Sequence, residues 1–141
     1  MLLKKRAKLK KVITFGTFDV FHVGHVNILE RAKALGDYLI VGISSDELNF
    51  AKKGRNPIYS IADRLKIISS LQFVDEVFVE ESLELKAQYI KDFDANVLVM
   101  GDDWKDKFDM YNDICDVVYL ERTPSISTTE IIEVVRRPEG K

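Results

Sequence analysis

The chain has 141 residues, 46% hydrophobic and 31% charged, enough apolar material for one domain with its own core. Its formal net charge of -2 argues against both an acidic solvating protein and a general polyanion binder. A lone cysteine, Cys115, excludes an internal disulfide, and Met1-Leu2-Leu3 is too short for a signal peptide, with no later run approaching a membrane span. These features predict a cytoplasmic protein stabilised by packing.

Residues 1–11 carry Lys4, Lys5, Arg6, Lys8, Lys10 and Lys11 and are expected to form a flexible basic arm. The arm lacks aromatic residues and is read as a solvated tail, so no nucleic acid or membrane partner is expected. Residues 12–137 are expected to form a single domain. Apolar runs predict strands over Val12–Phe15, Tyr38–Ile43, Glu76–Val79, Val97–Met100 and Val117–Leu120. Helical spacing falls between them. Val26, Leu29, Ala32 and Leu35 stripe a first helix, with Gly36 expected at its C-terminal cap. Ile61, Leu65, Ile68 and Leu71 mark a second. Leu83, Ala87, Ile90 and Phe93 mark a third, and Phe108, Tyr111 and Ile114 suggest a fourth. Ser127, with Glu130 three residues on, reads as a capping box opening a last helix. Residues 138–141 are expected to fray. Strands alternating with helices imply an α/β fold with a Rossmann-like five-stranded parallel sheet and helices on both faces.

In such a sheet the loops after the strands carry function. Both histidines of the chain fall in one of them, His22-Val23-Gly24-His25, after Gly16-Thr17-Phe18-Asp19. Gly16 permits a tight turn, Gly24 removes a side chain where a ligand would press, and a helix start attracts anions. The imidazoles therefore read first as phosphate donors. Zinc ligands, or two surface histidines at a helix cap, stay open as alternatives. Arg122 offers a bidentate fork, and Ser127-Thr128-Thr129 opens either a second anion-seeking helix start or, taken alone, equally a simple helix cap. Two such starts on one edge suggest a polyphosphate. The loop holding Lys52, Lys53 and Arg55 reads by default as a solvated basic loop, and its place on the same sheet edge raises a second anionic ligand as the alternative, with Arg64 placed to reach inward or lie exposed. Asp102 and Asp103 follow the fourth strand and could bind ribose hydroxyls, a metal or nothing, and Trp104 after them could flank a ligand, though a large aromatic there is more often packing. P-loop and G-x-G-x-x-G patterns are absent.

Gly16-Thr17-Phe18-Asp19-Val20-Phe21-His22-Val23-Gly24-His25 and Arg122-Thr123-Pro124-Ser125-Ile126-Ser127-Thr128-Thr129 resemble the two signature motifs of the cytidylyltransferases. The resemblance runs from about Lys11 to Val135 and extends to the branch acting on glycerol 3-phosphate. Pro124 and Ser125 depart from its usual Glu-Gly. It implies transfer of a cytidylyl group from CTP to sn-glycerol 3-phosphate for teichoic acid or capsule polymers, by a homodimer using Mg²⁺ whose ligands are unknown. Other phosphorylated acceptors, or a non-catalytic CTP-binding module, are the alternatives. The resemblance further implies catalytic roles for His22, His25, Arg122 and Lys52. It assigns nucleotide contacts to Gly16, Thr17, Phe18, Gly101, Asp102, Thr123, Ser127 and Thr128, and acceptor contacts to Lys52, Arg55, Arg64 and Asp19.

Overall fold

A computed structural model describes residues 9–122 and 127–138. Five strands, β1 (Lys11–Gly16), β2 (Tyr38–Ser44), β3 (Glu76–Glu80), β4 (Val97–Gly101) and β5 (Asp116–Leu120), pair in parallel in the order β3-β2-β1-β4-β5. Each lies within one residue of its expected bounds. The connection leaves β1 toward β2 on one side and returns to β4 on the other, so the crevice at the C-terminal ends of β1 and β4 is the switch point where ligands bind.

The central strands are apolar on both faces because both are covered. Val12, Leu39, Val41, Val97 and Val99 share one core with Leu29 and Ala32 of helix α1 (Val23–Lys33) and Ile68 of α3 (Ile61–Ser69). Ile13, Phe15, Ile40, Leu98 and Met100 point the other way, toward Ile90 of α4 (Lys86–Asp92) and the partly buried Phe108, Tyr111 and Ile114. The expected α/β architecture is thus met. The period-2 alternation of the strands sorts the residues between the two cores.

Several local expectations are corrected. The segment read as a basic loop after β2 contains a helix, α2 (Asp46–Lys53), with Ser45 accepting the Leu48 N–H and Gly54 in the left-handed region at φ +75°. Its only fully buried residue is Asn49, so no apolar stripe announces it; the signal lies in the caps and in Asp46, Glu47, Lys52 and Lys53 at the ends the helix dipole favours. The third helix begins as a 3₁₀ turn at Leu83–Leu85. The fourth is a 3₁₀ turn throughout, Asp109–Asp113, and the strict three-residue spacing of Phe108, Tyr111 and Ile114 is the period of that geometry. Gly36 does not cap α1 in the left-handed conformation. It is needed because a Cβ there would lie 2.6 Å from the Lys10 carbonyl oxygen. The last helix, α5 (Thr128–Arg136), starts at Ser127 as expected, the Ser127 hydroxyl accepting the Glu130 N–H at 3.1 Å.

Candidate active site

The end of β1 and the start of α1 set the two imidazoles. His22 is the N-cap of α1, and its Nδ1 accepts the Gly24 N–H at 3.0 Å. His25, three residues on, turns its Nδ1 back to accept the His22 N–H at 3.2 Å. Histidines thus form a reciprocal capping box, a job usually done by serine and glutamate. The rings stack with centroids 3.8 Å apart, and His25 also lies against Phe18 and Phe21, each at 5.4 Å. With both Nδ1 lone pairs accepting amides, the neutral tautomer carries its proton on Nε2. Burial first, then the neighbouring His22, pushes His25 down to about 4, while Asp19 opposes the shift. Burial and then the Arg122 charge lower His22 as well. At neutral pH the pair therefore presents two N–H donors, without a positive charge and without a basic ring nitrogen left over. This chemistry suits an anionic oxygen and not a metal ion.

Beside them opens a cleft of about 350 Å³, lined by His25 but not by His22, Arg122 or Ser127. Its inner wall is Thr14–Asp19 at the end of β1. There a Cβ on Gly16 would meet the Phe18 ring at 2.8 Å, and Phe18 and Val20 both hold positive φ, +53° and +48°. For a β-branched valine this is a strained conformation, held by what surrounds it. Asp19 supplies much of that hold. Its Oδ2 accepts the Ile58 N–H at 2.6 Å, its Oδ1 accepts the Tyr59 N–H at 2.8 Å, and its carbonyl accepts the Thr128 hydroxyl at 2.8 Å. The Asp19 carboxylate, expected to meet the acceptor directly, is thus occupied by backbone amides and fastens the Arg55–Tyr59 segment to the first motif, while the Asp19 carbonyl fastens the start of α5.

Arg64 requires a correction of the same kind. It is 0% exposed and donates from Nε to the Tyr59 carbonyl, from Nη1 to the Thr17 and Ser44 carbonyls, and from Nη2 to Asp46 Oδ1, at 2.6–3.0 Å. Its guanidinium joins the ends of β1 and β2, and Arg64 is not among the residues that line the cleft. The Thr17 hydroxyl donates to Asn49 Oδ1 at 2.9 Å, and the Asn49 amide in turn donates to Ser44 Oγ and to the Ser44 and Ser45 carbonyls. Asn49 lines the cleft and escaped the sequence reading. Its one trace there is a polar residue in mid-helix, where such residues are poor helix formers.

On the basic rim, Lys53 and Arg55 line the cleft and Lys52 does not. Burial lowers Lys52 while Glu80 opposes the shift, placing its ammonium in the field of Glu80. Across the cleft stand Gly101, Asp103, Trp104, Thr128 and Thr129, whereas Asp102 is not part of the lining. Arg122 Nη1 lies 3.7 Å from Asp103 Oδ2, and Ser127 sits behind Thr128 as the helix cap. Thr123, Pro124, Ser125 and the arm up to Lys8 lie outside the described residues. Among the described residues no three of His, Cys, Asp or Glu converge as a metal site.

A parallel sheet that delivers two N–H donor imidazoles and a second helix start to its switch point, with a basic rim opposite, defines an α/β nucleotide-binding domain built for phosphate groups. The chain belongs to the cytidylyltransferase-like family, whose model matches residues 13–134. It is 52% identical over 127 residues to the glycerol-3-phosphate cytidylyltransferase of Bacillus subtilis, covering 90% of this chain and 98% of that one. To the enzyme of the same name from Staphylococcus aureus it is 44% identical over 133 residues, covering 94% and 100%. A solved lipopolysaccharide core biosynthesis protein from Thermoplasma volcanium superposes with TM-score 0.73 at 25% identity, over 82% of this chain and 99% of that one.

Proposed function

We propose that the chain transfers the cytidylyl group of CTP to sn-glycerol 3-phosphate, releasing CDP-glycerol and pyrophosphate. The observation that carries this reading is the pair of imidazoles locked as Nε2–H donors beside the cleft. An acceptor phosphate oxygen attacks the α-phosphorus in line, the bond from that phosphorus to the α,β-bridging oxygen breaks, and pyrophosphate departs. The nucleophile is already an anion, so no general base is needed and none is offered by these histidines. What the reaction needs is alignment and donors aimed at developing charge. His22 and His25 donate to the α-phosphoryl and bridging oxygens. Arg122 and the start of α5 hold the β- and γ-phosphates. Gly101, Asp103 and Trp104 face the nucleoside. Lys53 and Arg55, reinforced by the charge of Lys52, receive the acceptor phosphate.

The choice of acceptor is supported by relatives named for that reaction at 44–52% identity over nearly their whole lengths. Mg²⁺ belongs to the proposal as the counter-ion that accompanies the nucleotide; among the described residues no cluster of His, Cys, Asp or Glu forms a metal site of its own. Supply of teichoic acid or capsule polymers, a cytoplasmic location and a homodimer also belong to it; no helix among the described residues is long and apolar enough to cross a membrane. A non-catalytic CTP sensor would have no use for donors at the α-phosphate. His22→Ala and His25→Ala separate the two readings: each is expected to lower kcat by about 100-fold or more, the scale of a lost oxyanion donor, with CTP affinity nearly unchanged. Normal turnover in both variants overturns the assignment.

A further inference from the structure

Behind the inner wall of the cleft lies an ion pair that the chemistry above does not employ. Glu80 ends β3 on the same sheet edge as the cleft, and its Oε2 lies 2.8 Å from Lys86 Nζ at the start of α4, each side chain only 3% exposed. The Lys86 ammonium sits 3.7 Å from the centroid of Phe15 and 5.4 Å from that of Phe108. Phe15, the nearer ring, lines the cleft; Phe108, the farther one, packs on Trp104 of the nucleoside side with centroids 5.4 Å apart, so the close contact is the one made to the inner wall. The Glu80 carbonyl accepts the Ser45 N–H at 3.0 Å. Ser45 caps α2, the helix that carries Asn49 and Lys53 into the cleft. The Glu80 charge also opposes the desolvation of Lys52.

Stability alone does not account for such a pair. Two buried charges lose so much hydration that apolar side chains of similar volume often serve as well or better, whereas removing one partner leaves a costly orphan charge. What charges add is direction, because an ammonium held by a carboxylate fixes the ring it faces. We propose that Glu80 and Lys86 are positioning residues for the acceptor half of the cleft: the carboxylate holds the ammonium against Phe15 on the inner wall, and the ion pair fixes the end of β3, whose Glu80 carbonyl holds the Ser45 cap of α2, so that Lys53 meets the acceptor phosphate in register. This inference rests on the acceptor site proposed above.

The test uses Glu80→Gln, Lys86→Met, Lys86→Arg and the apolar double variant Glu80→Leu/Lys86→Met. Tm is read alongside calorimetric binding of glycerol 3-phosphate and of CTP. The Gln and Met single variants should lose about 10 °C or more in Tm, as orphaned buried charges do in a chain of this size. The double variant should regain that Tm yet bind glycerol 3-phosphate about tenfold or more weaker, with CTP affinity within about twofold of the original. Lys86→Arg, which keeps charge and ring contact, should keep acceptor affinity within about threefold. Acceptor affinity restored in the double variant, equal losses for both ligands, or a Lys86→Arg defect as large as that of the double variant would each overturn the inference. Original protein that binds glycerol 3-phosphate but makes no CDP-glycerol overturns the proposed reaction and leaves this test in force. Failure to bind glycerol 3-phosphate overturns both.

Discussion

Titrating the two imidazoles probes the site before any substrate is added. Reciprocal capping places a proton on each Nε2, and burial holds His25 at about 4 against an ordinary value of 6.5. A fall of that size is about 3 kcal/mol in favour of the neutral ring, at ~1.4 kcal/mol per pH unit. Because the folded value is depressed, the unfolded chain binds the extra proton first as pH falls. The stabilisation is complete above 6.5 and disappears as pH drops through about 4. With only two histidines in the chain, ¹H–¹⁵N and ¹H–¹³C NMR can follow both rings, a single His→Gln variant assigning them. His25 should titrate near 4, His22 below 6.5, and both should show an unprotonated Nδ1 at pH 7. Urea unfolding should show the original protein losing about 3 kcal/mol more than His25→Gln between pH 6.5 and 4. A ring titrating at or above 6.5, or a proton on either Nδ1 at pH 7, would refute the neutral-donor account.

Two further variants test how the cleft is held and used. Arg64→Met removes a buried guanidinium from three carbonyls and the Asp46 carboxylate, and should cost about 3–5 kcal/mol in chemical denaturation; a loss below about 1 kcal/mol would show that those bonds are dispensable. Lys53→Ala and Arg55→Ala should each raise the KM for the acceptor by about tenfold while leaving that for CTP nearly unchanged. Equal effects on both substrates would move the acceptor phosphate elsewhere.

The strands and their sheet were legible because central parallel strands need apolar residues on both faces, which leaves compact β-branched runs in the sequence. The histidine pair was legible because residues three apart at a helix start are neighbours. The parts that stayed hidden share a physical cause: their partners are backbone groups far away in the chain. Asp19 binds amides 39 and 40 residues on, and Arg64 binds a carbonyl 47 residues back, so spacing shows the charges but not that they are occupied. Lys52 and Lys53 illustrate a second limit. Read as a loop they have no phase, but on α2 adjacent residues point about 100° apart, and Lys53 is the one lining the cleft. Glu80 and Lys86 look like ordinary surface charges in sequence because neither shows the cover supplied by Phe15 and Phe108.

The most direct test of the central claim is pyrophosphate release measured with CTP, ATP, GTP and UTP against glycerol 3-phosphate, phosphoethanolamine, phosphocholine and a sugar phosphate, with the nucleotide product identified by mass. Rapid release confined to CTP with glycerol 3-phosphate, accompanied by CDP-glycerol in equal amount, is the predicted result. Comparable release with another acceptor or nucleotide, or none with this pair, would contradict it.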